Sequence, residues 1–152
     1  MGRFQRGDVI YVNLGYRDNR SVQQGERPCV VVSNNVNNVV SPVLLVCPCT
    51  SQMTKKQNPV HVILNRKDVK GFLPKKSIIL VEQLISIDKR QIEKKMGTIE
   101  NDKIMDKLNA ALARQLALVD FGKEEQNGKE RKDGSSNMGK AYSDDHGSCG
   151  VQ

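Results

Sequence analysis

Gly25-Glu26-Arg27-Pro28-Cys29-Val30-Val31-Val32-Ser33 passes in nine residues from a polar loop into an unbroken apolar run and out again. Pro28 disfavours the helical region for Arg27, and the β-branched valines favour extended backbone. A short apolar run bounded by polar residues has the pattern of a strand covered on both faces. Pro42 to Cys49 repeats the pattern, and Asn34 to Asn38 between the two runs reads as a turn-rich connector. Two buried strands joined by a short link set the expectation of an antiparallel β protein.

Working outward keeps that reading. Upstream, Asp8 to Leu14 predicts a strand with Val9 and Tyr11 on one face and Ile10, Val12 and Leu14 on the other. Gly15 to Glu26 is a long polar loop in which Val22 is the only aliphatic residue. Downstream, Val60 to Leu64 and Ser77 to Ile87 predict two more strands, the second long enough to bend. Asp88 to Ile92 reads as a helical turn and Lys95 to Thr98 as a short strand. Asn101 to Val119 reads as a helix, because Ile104, Leu108, Leu112 and Leu116 recur every four residues and form one apolar stripe. The class expected is mainly β with a C-terminal helix (α+β), built as a small, strongly curved antiparallel sheet or half-open barrel.

Composition divides the chain near Val119. Residues 120–152 hold six of the twelve glycines and five basic against seven acidic side chains, with few apolar ones. Such a segment buries too little surface to offset its ordering entropy, so a polar, disordered C-terminal tail is expected over 120–152 and a folded domain over 1–119. The chain as a whole carries +7, and residues 1–119 carry 19 Lys and Arg against 10 Asp and Glu. That excess points to an anionic partner, nucleic acid first. Aromatic residues are 4% with no Trp, which argues against a base-stacking platform. No apolar run is long enough for a membrane span and Met1 to Asp8 is polar, so a soluble, cytoplasmic protein is expected.

Catalytic signatures are sparse. No phosphate-binding glycine loop, nucleophile elbow or zinc-protease motif is present. Cys47 and Cys49 are two apart and lack metal-site spacing, so Cys29, Cys47 and Cys49 read as small buried hydrophobes and neither metal nor cofactor is expected. His61 lies in a strand and reads as a structural histidine. Two places are more informative. Arg27 at the mouth of a strand offers a planar fork to phosphate or carboxylate, or else pairs with a neighbouring acid. Cys49-Thr50-Ser51-Gln52 turns an apolar strand abruptly polar, and hydroxyls there either cap the turn or face a substrate.

The order of these features resembles the MazF/PemK family of bacterial toxins. The resemblance runs from Arg6 to about Phe121. It rests on Arg6-Gly7-Asp8-Val9, on Gly25-x-Arg27-Pro28 with Val30-Val31-Val32 and Asn34, and on the apolar strand ending in Thr50. Pro59 with His61-Val62 follows, then Ser77 with Val81-Glu82-Gln83-Leu84, Ile87-Asp88-Lys89 and the Leu-rich helix. It implies an SH3-like half-open barrel that forms a homodimer and cuts single-stranded RNA at short sequences without a metal. It implies catalytic roles for Arg27 and Thr50, and substrate contacts at Ser21, Gln23, Asn34, Ser51, Gln52, Ser77 and Gln83. It further implies an acidic MazE-like antitoxin partner and DNA binding by the toxin–antitoxin complex. The loop from Gly15 to Glu26 corresponds to an RNA-gripping loop, in which the common Ser-Glu-Gln run reads Ser21-Val22-Gln23 here. A gyrase-inhibiting branch, CcdB, is similar in fold, but Arg27 with Thr50 matches the ribonuclease branch.

Overall fold

The computed structural model describes residues 3–18, 21–53 and 58–120. Its strands are β1 (Asp8–Asn13), β2 (Glu26–Val31), β3 (Val43–Thr50), β4 (His61–Leu64), β5 (Val69–Gly71), β6 (Ser77–Leu80), β7 (Ile85–Asp88) and β8 (Ile92–Ile99). Two α-helices accompany them, α1 (Asn35–Val40) and α2 (Asp102–Gln115). Every strand pair is antiparallel, in the order β4-β6-β3-β2-β1-β8-β5, with β7 also on β3. The molecule is the half-open antiparallel barrel expected, closed by a helix at its C-terminal end.

The sheet is buried on both faces, as its valine runs demand. Val9 and, partly buried, Tyr11 join Val30, Cys47, Cys49, Val62 and Leu64 in a core beneath Ile104, Leu108 and Ala111 of α2. Ile10, Val12, Cys29, Val31, Leu44, Val46 and Ile87 form a second cluster on the opposite face. The alternation read from β1 is therefore the alternation observed. Asp8, fully buried at the start of β1, accepts from the Gln5 N–H at 2.8 Å and from Thr98 Oγ1 at 2.9 Å. Lys95 Nζ lies 3.3 Å from the same carboxylate. The Arg6-Gly7-Asp8 signature thus ties β1 to β8.

Several expectations change. The connector at Asn34 to Asn38 is instead the start of α1, because Asn34 caps it by accepting the Asn37 N–H at 2.9 Å. Asn38 is buried, and its Nδ2 donates to the Ser33 carbonyl at 2.9 Å. The asparagines satisfy a helix turn rather than break one. The single strand at Ser77 to Ile87 is two, β6 and β7, separated by a 3-10 turn at Val81–Gln83. Both halves lie along β3, β6 at its C-terminal end and β7 at its N-terminal end. The short strand at Lys95 to Thr98 extends over Ile92–Ile99 and pairs with β5, which carried no sequence signal. The helix from Asn101 ends at Gln115, so Leu116 lies outside it and is 53% exposed. The tail expected over 120–152 lies, from residue 121 on, outside the described residues.

Candidate RNA-cleaving site

The β2–β3 ladder pairs Cys29 with Pro48, Val30 with Cys47 and Val31 with Val46. Two steps further along that register, Arg27 stands level with Thr50, where β3 turns polar. The Arg27 guanidinium bridges the strand ends: Nε donates to the Gln24 carbonyl at 3.0 Å, and Nη1 makes a long bond of 3.4 Å to the Cys49 carbonyl. These contacts hold the fork on neutral carbonyls and pair it with no carboxylate. Thr50 is buried, and its Oγ1 accepts the Gln52 N–H at 3.2 Å, which leaves the hydroxyl proton to donate elsewhere. Ser51 and Gln52 follow directly and are exposed.

The polar loop is fastened beside this pair. Its neck closes through Leu14 N–H to the Gly25 carbonyl at 2.9 Å and Gly25 N–H to the Gly15 carbonyl at 2.8 Å. Gly25 has φ +75°, where a side chain would be strained, and a Cβ there would also make a tight 3.1 Å contact with the Tyr16 hydroxyl. Gln83, from the 3-10 turn after β6, reaches across to the loop. Its Oε1 accepts the Gln23 N–H at 2.7 Å and its Nε2 donates to the Ser21 carbonyl at 3.3 Å. Arg27, Thr50, Ser51, Gln52, Ser21, Gln23 and Gln83 are thereby brought to one end of the barrel.

Two expected substrate contacts do not face that pair: Asn34 lies far from it, and Ser77 adjoins Ile78, the cross-strand partner of Thr50, but turns into the core. Asn34 lies seven residues beyond Arg27, past the other end of β2, on the order of 20 Å away at strand rise. Its side-chain oxygen is engaged in capping α1. Ser77 is buried, stands opposite Leu64 of the helix-packed core, and donates its hydroxyl to the Lys75 carbonyl at 2.9 Å. Motif order along a chain does not say which end of a strand a residue occupies.

Other residues take part without having been singled out. Gln24 receives the Arg27 Nε and, through Oε1, accepts the Arg17 N–H at 2.9 Å; nothing in the sequence marks it apart from other loop glutamines. His61 was read as structural, and its Nε2 does lie 2.8 Å from Glu82 Oε1. The ring is not fully satisfied, however, since Nδ1 has no partner. The cysteines behave as buried hydrophobes: burial pushes the Cys29 and Cys47 thiols up to about 12, and Cys49 well above its usual value. A thiolate nucleophile is therefore not among the chemistry on offer.

A family model described as PemK-like, MazF-like toxin of type II toxin-antitoxin systems matches residues 5–116. The chain belongs to the PemK/MazF toxin family. It is 38% identical over 117 residues to Endoribonuclease EndoA of Bacillus subtilis (strain 168), covering 77% of this chain and 97% of that one. Among solved structures it is similar in fold to MazF from Deinococcus radiodurans, with TM-score 0.62, 21% identity, and 77% and 99% of the two chains covered. It is likewise similar to a mycobacterial endoribonuclease solved with its cognate antitoxin, with TM-score 0.59, 24% identity, and 77% and 96% covered. The matched region, residues 5–116, is the barrel with its C-terminal helix. No helix among the described residues is long and apolar enough to cross a membrane.

Proposed function

We propose that this chain is the toxin of a type II toxin–antitoxin pair, a metal-independent endoribonuclease that cuts single-stranded RNA at a short sequence in the cytoplasm. The observation that carries the reading is the Arg27 guanidinium reaching the Cys49 carbonyl, next to Thr50 at the polar end of β3, with its fork held among the described residues by neutral carbonyls. In the cleavage proposed, the 2′-oxygen attacks the adjacent phosphorus and the bond to the 5′-oxygen breaks. The 2′-hydroxyl proton is lost and the leaving oxygen gains one, giving a 2′,3′-cyclic phosphate and a 5′-hydroxyl.

Charge accumulates on the phosphorane oxygens, where Arg27 donates from a fixed plane and Thr50 donates its hydroxyl. Each donor aimed at developing charge is worth about 3 kcal/mol. Arg stays protonated at ordinary pH, so its part is stabilisation and not proton abstraction. Substrate contacts are assigned to Ser21, Gln23, Ser51, Gln52 and Gln83, whose amides and hydroxyls suit unstacked bases. Asn34 remains a candidate only for contacts remote from Arg27 within one protomer, and Ser77, beside Ile78 at the Thr50 end of β3, faces the core with Leu64.

The partners in this reading are a second copy of the chain and an acidic antitoxin segment that occupies the basic RNA surface. The test is a long RNA incubated with purified protein and a chelator. The expected products end in cyclic phosphate and 5′-hydroxyl, and Arg27→Ala and Thr50→Ala abolish them while keeping the wild-type circular dichroism. Wild-type cutting by either variant would dismiss the site; cutting that requires an added metal would dismiss the mechanism.

A further inference from the structure

His61 and Glu82 form a pair that the roles of Arg27 and Thr50 leave unused. Their side chains are 8% and 26% exposed, and the His61 Nε2 to Glu82 Oε1 distance is 2.8 Å. An ionised carboxylate only accepts, so Nε2 donates this bond, and in the neutral tautomer that this requires Nδ1 is an acceptor. Among the described residues neither Nδ1 nor Glu82 Oε2 has a hydrogen-bond partner, and both atoms are withdrawn from solvent. Two buried acceptors left without a donor on one pair are uncommon in a folded protein, where buried polar atoms are nearly always paired.

The sheet register ties this pair to the RNA site. Val60, Val62 and Leu64 point into the helix-packed core, so His61 and Ile63 project from the other face. Ile63 stands opposite Ile78, and Ile78 opposite Thr50. Side chains opposite one another share a face, so His61 and Thr50 project from the same one. Two strand spacings and two residue rises separate them, on the order of 12 Å. That is too far for both to act on one phosphate, where hydrogen-bond reach of about 3 Å is needed. Glu82 also precedes Gln83, the residue that holds the loop at Gln23 and Ser21.

A carboxylate repels phosphate, so the phosphates are excluded as the ligand of this pair. What it lacks is a donor, and the donors RNA can bring from its bases include exocyclic amino groups. We propose that His61 and Glu82 are specificity-determining residues: they accept the exocyclic amino group of a base near the cleaved bond. The proposal rests on the ribonuclease reading above. Both acceptors are withdrawn from solvent in the free chain, so the base reaches them as these two side chains turn outward.

The experiment uses short RNAs carrying the wild-type cut sequence, identified by sequencing 5′-hydroxyl ends. Each exocyclic amino group is removed in turn: purine for adenine, inosine for guanine, 2-pyrimidinone for cytosine. At one position, removal is expected to lower kcat/KM of the wild type by about ten- to a hundredfold. In Glu82→Gln the amide oxygen can still accept from His61 while a donor replaces Oε2. There the same removal should cost less than about twofold. If Glu82→Gln fails to fold by circular dichroism, Glu82→Asp, which withdraws the carboxylate by one methylene, takes its place in the cycle with the same loss of discrimination expected. A wild type insensitive to every removal, or a variant with undiminished sensitivity, overturns the assignment alone. A wild type that leaves RNA intact overturns the ribonuclease reading and this one with it.

Discussion

Gln83 Oε1 accepts the main-chain N–H of Gln23 at 2.7 Å across 60 residues of sequence, fastening the tip of the polar loop to the turn that follows β6. The same amide donates to the Ser21 carbonyl, so one side chain satisfies one donor and one acceptor of the loop backbone. A bond of this kind is worth about 1 kcal/mol net. Gln83→Ala should therefore speed amide exchange at Gln23 about fivefold and leave the melting temperature of the barrel within a few degrees. Exchange at Gln23 that is unaltered by the substitution would mean the loop is held some other way.

Arg27→Lys separates charge from geometry. Lysine keeps the charge but loses the planar fork that now spans the Gln24 and Cys49 carbonyls. If stabilisation depends on fixed donors, kcat should fall at least about a hundredfold although the net charge is unchanged. A lysine variant within about threefold of wild type would reduce Arg27 to a simple counter-charge.

The contrast between those two residues shows how far the sequence could be read. Arg27 and Thr50 were visible because each sits where an apolar run turns polar, and strand register then brings such ends together. Alternation along β1 likewise foretold which side chains enter which cluster. Asn34 and Asn38 misled because the propensities that favour turns also favour helix caps, and only the bond from buried Asn38 to the Ser33 carbonyl decides between them. β5 has three residues and is held by close backbone approach to β8: a Cβ on Gly97 would meet the Lys70 carbonyl oxygen. Periodicity cannot register a strand that short.

Acid should loosen the join between β5 and α2 through Asp68. Burial opposes its charge, but hydrogen bonds from the Asn101 and Asn65 side chains and the Asn65 backbone outweigh it. They hold the carboxyl below the usual 3.8. A folded value below the unfolded one adds stability that is fully present above the unfolded value and is lost as pH falls through the folded value. Melting temperatures of wild type and Asp68→Asn should therefore differ most near neutral pH and converge in strong acid. Parallel curves across the whole acid range would show that Asp68 contributes nothing to the pH dependence.

The three buried thiols make a chemical test of the fold. With Cys29 and Cys47 pushed up to about 12 and Cys49 also raised well above its usual value by burial, almost no thiolate exists at these three near neutral pH, and burial blocks access as well. In a Cys149→Ser variant, which removes the one other cysteine, iodoacetamide at neutral pH should add nothing to the native protein. It should add three carbamidomethyl groups after denaturation, as read by intact mass. Rapid labelling of the native variant would contradict the packing of β2 and β3.

Leu108 and Leu116 occupy the same predicted stripe but should differ sharply in worth. Leu108 is fully buried against the sheet, whereas Leu116 lies just past the last turn of α2 and is 53% exposed. Emptying a closed core site removes transfer energy and leaves a cavity, so Leu108→Ala should cost about 2–5 kcal/mol. Leu116→Ala removes a side chain already mostly in water and should stay within about 0.5 kcal/mol. Urea unfolding of the two variants reads the difference directly. Equal losses would place Leu116 under cover that one copy of the chain does not provide, making the end of α2 part of a surface buried on assembly.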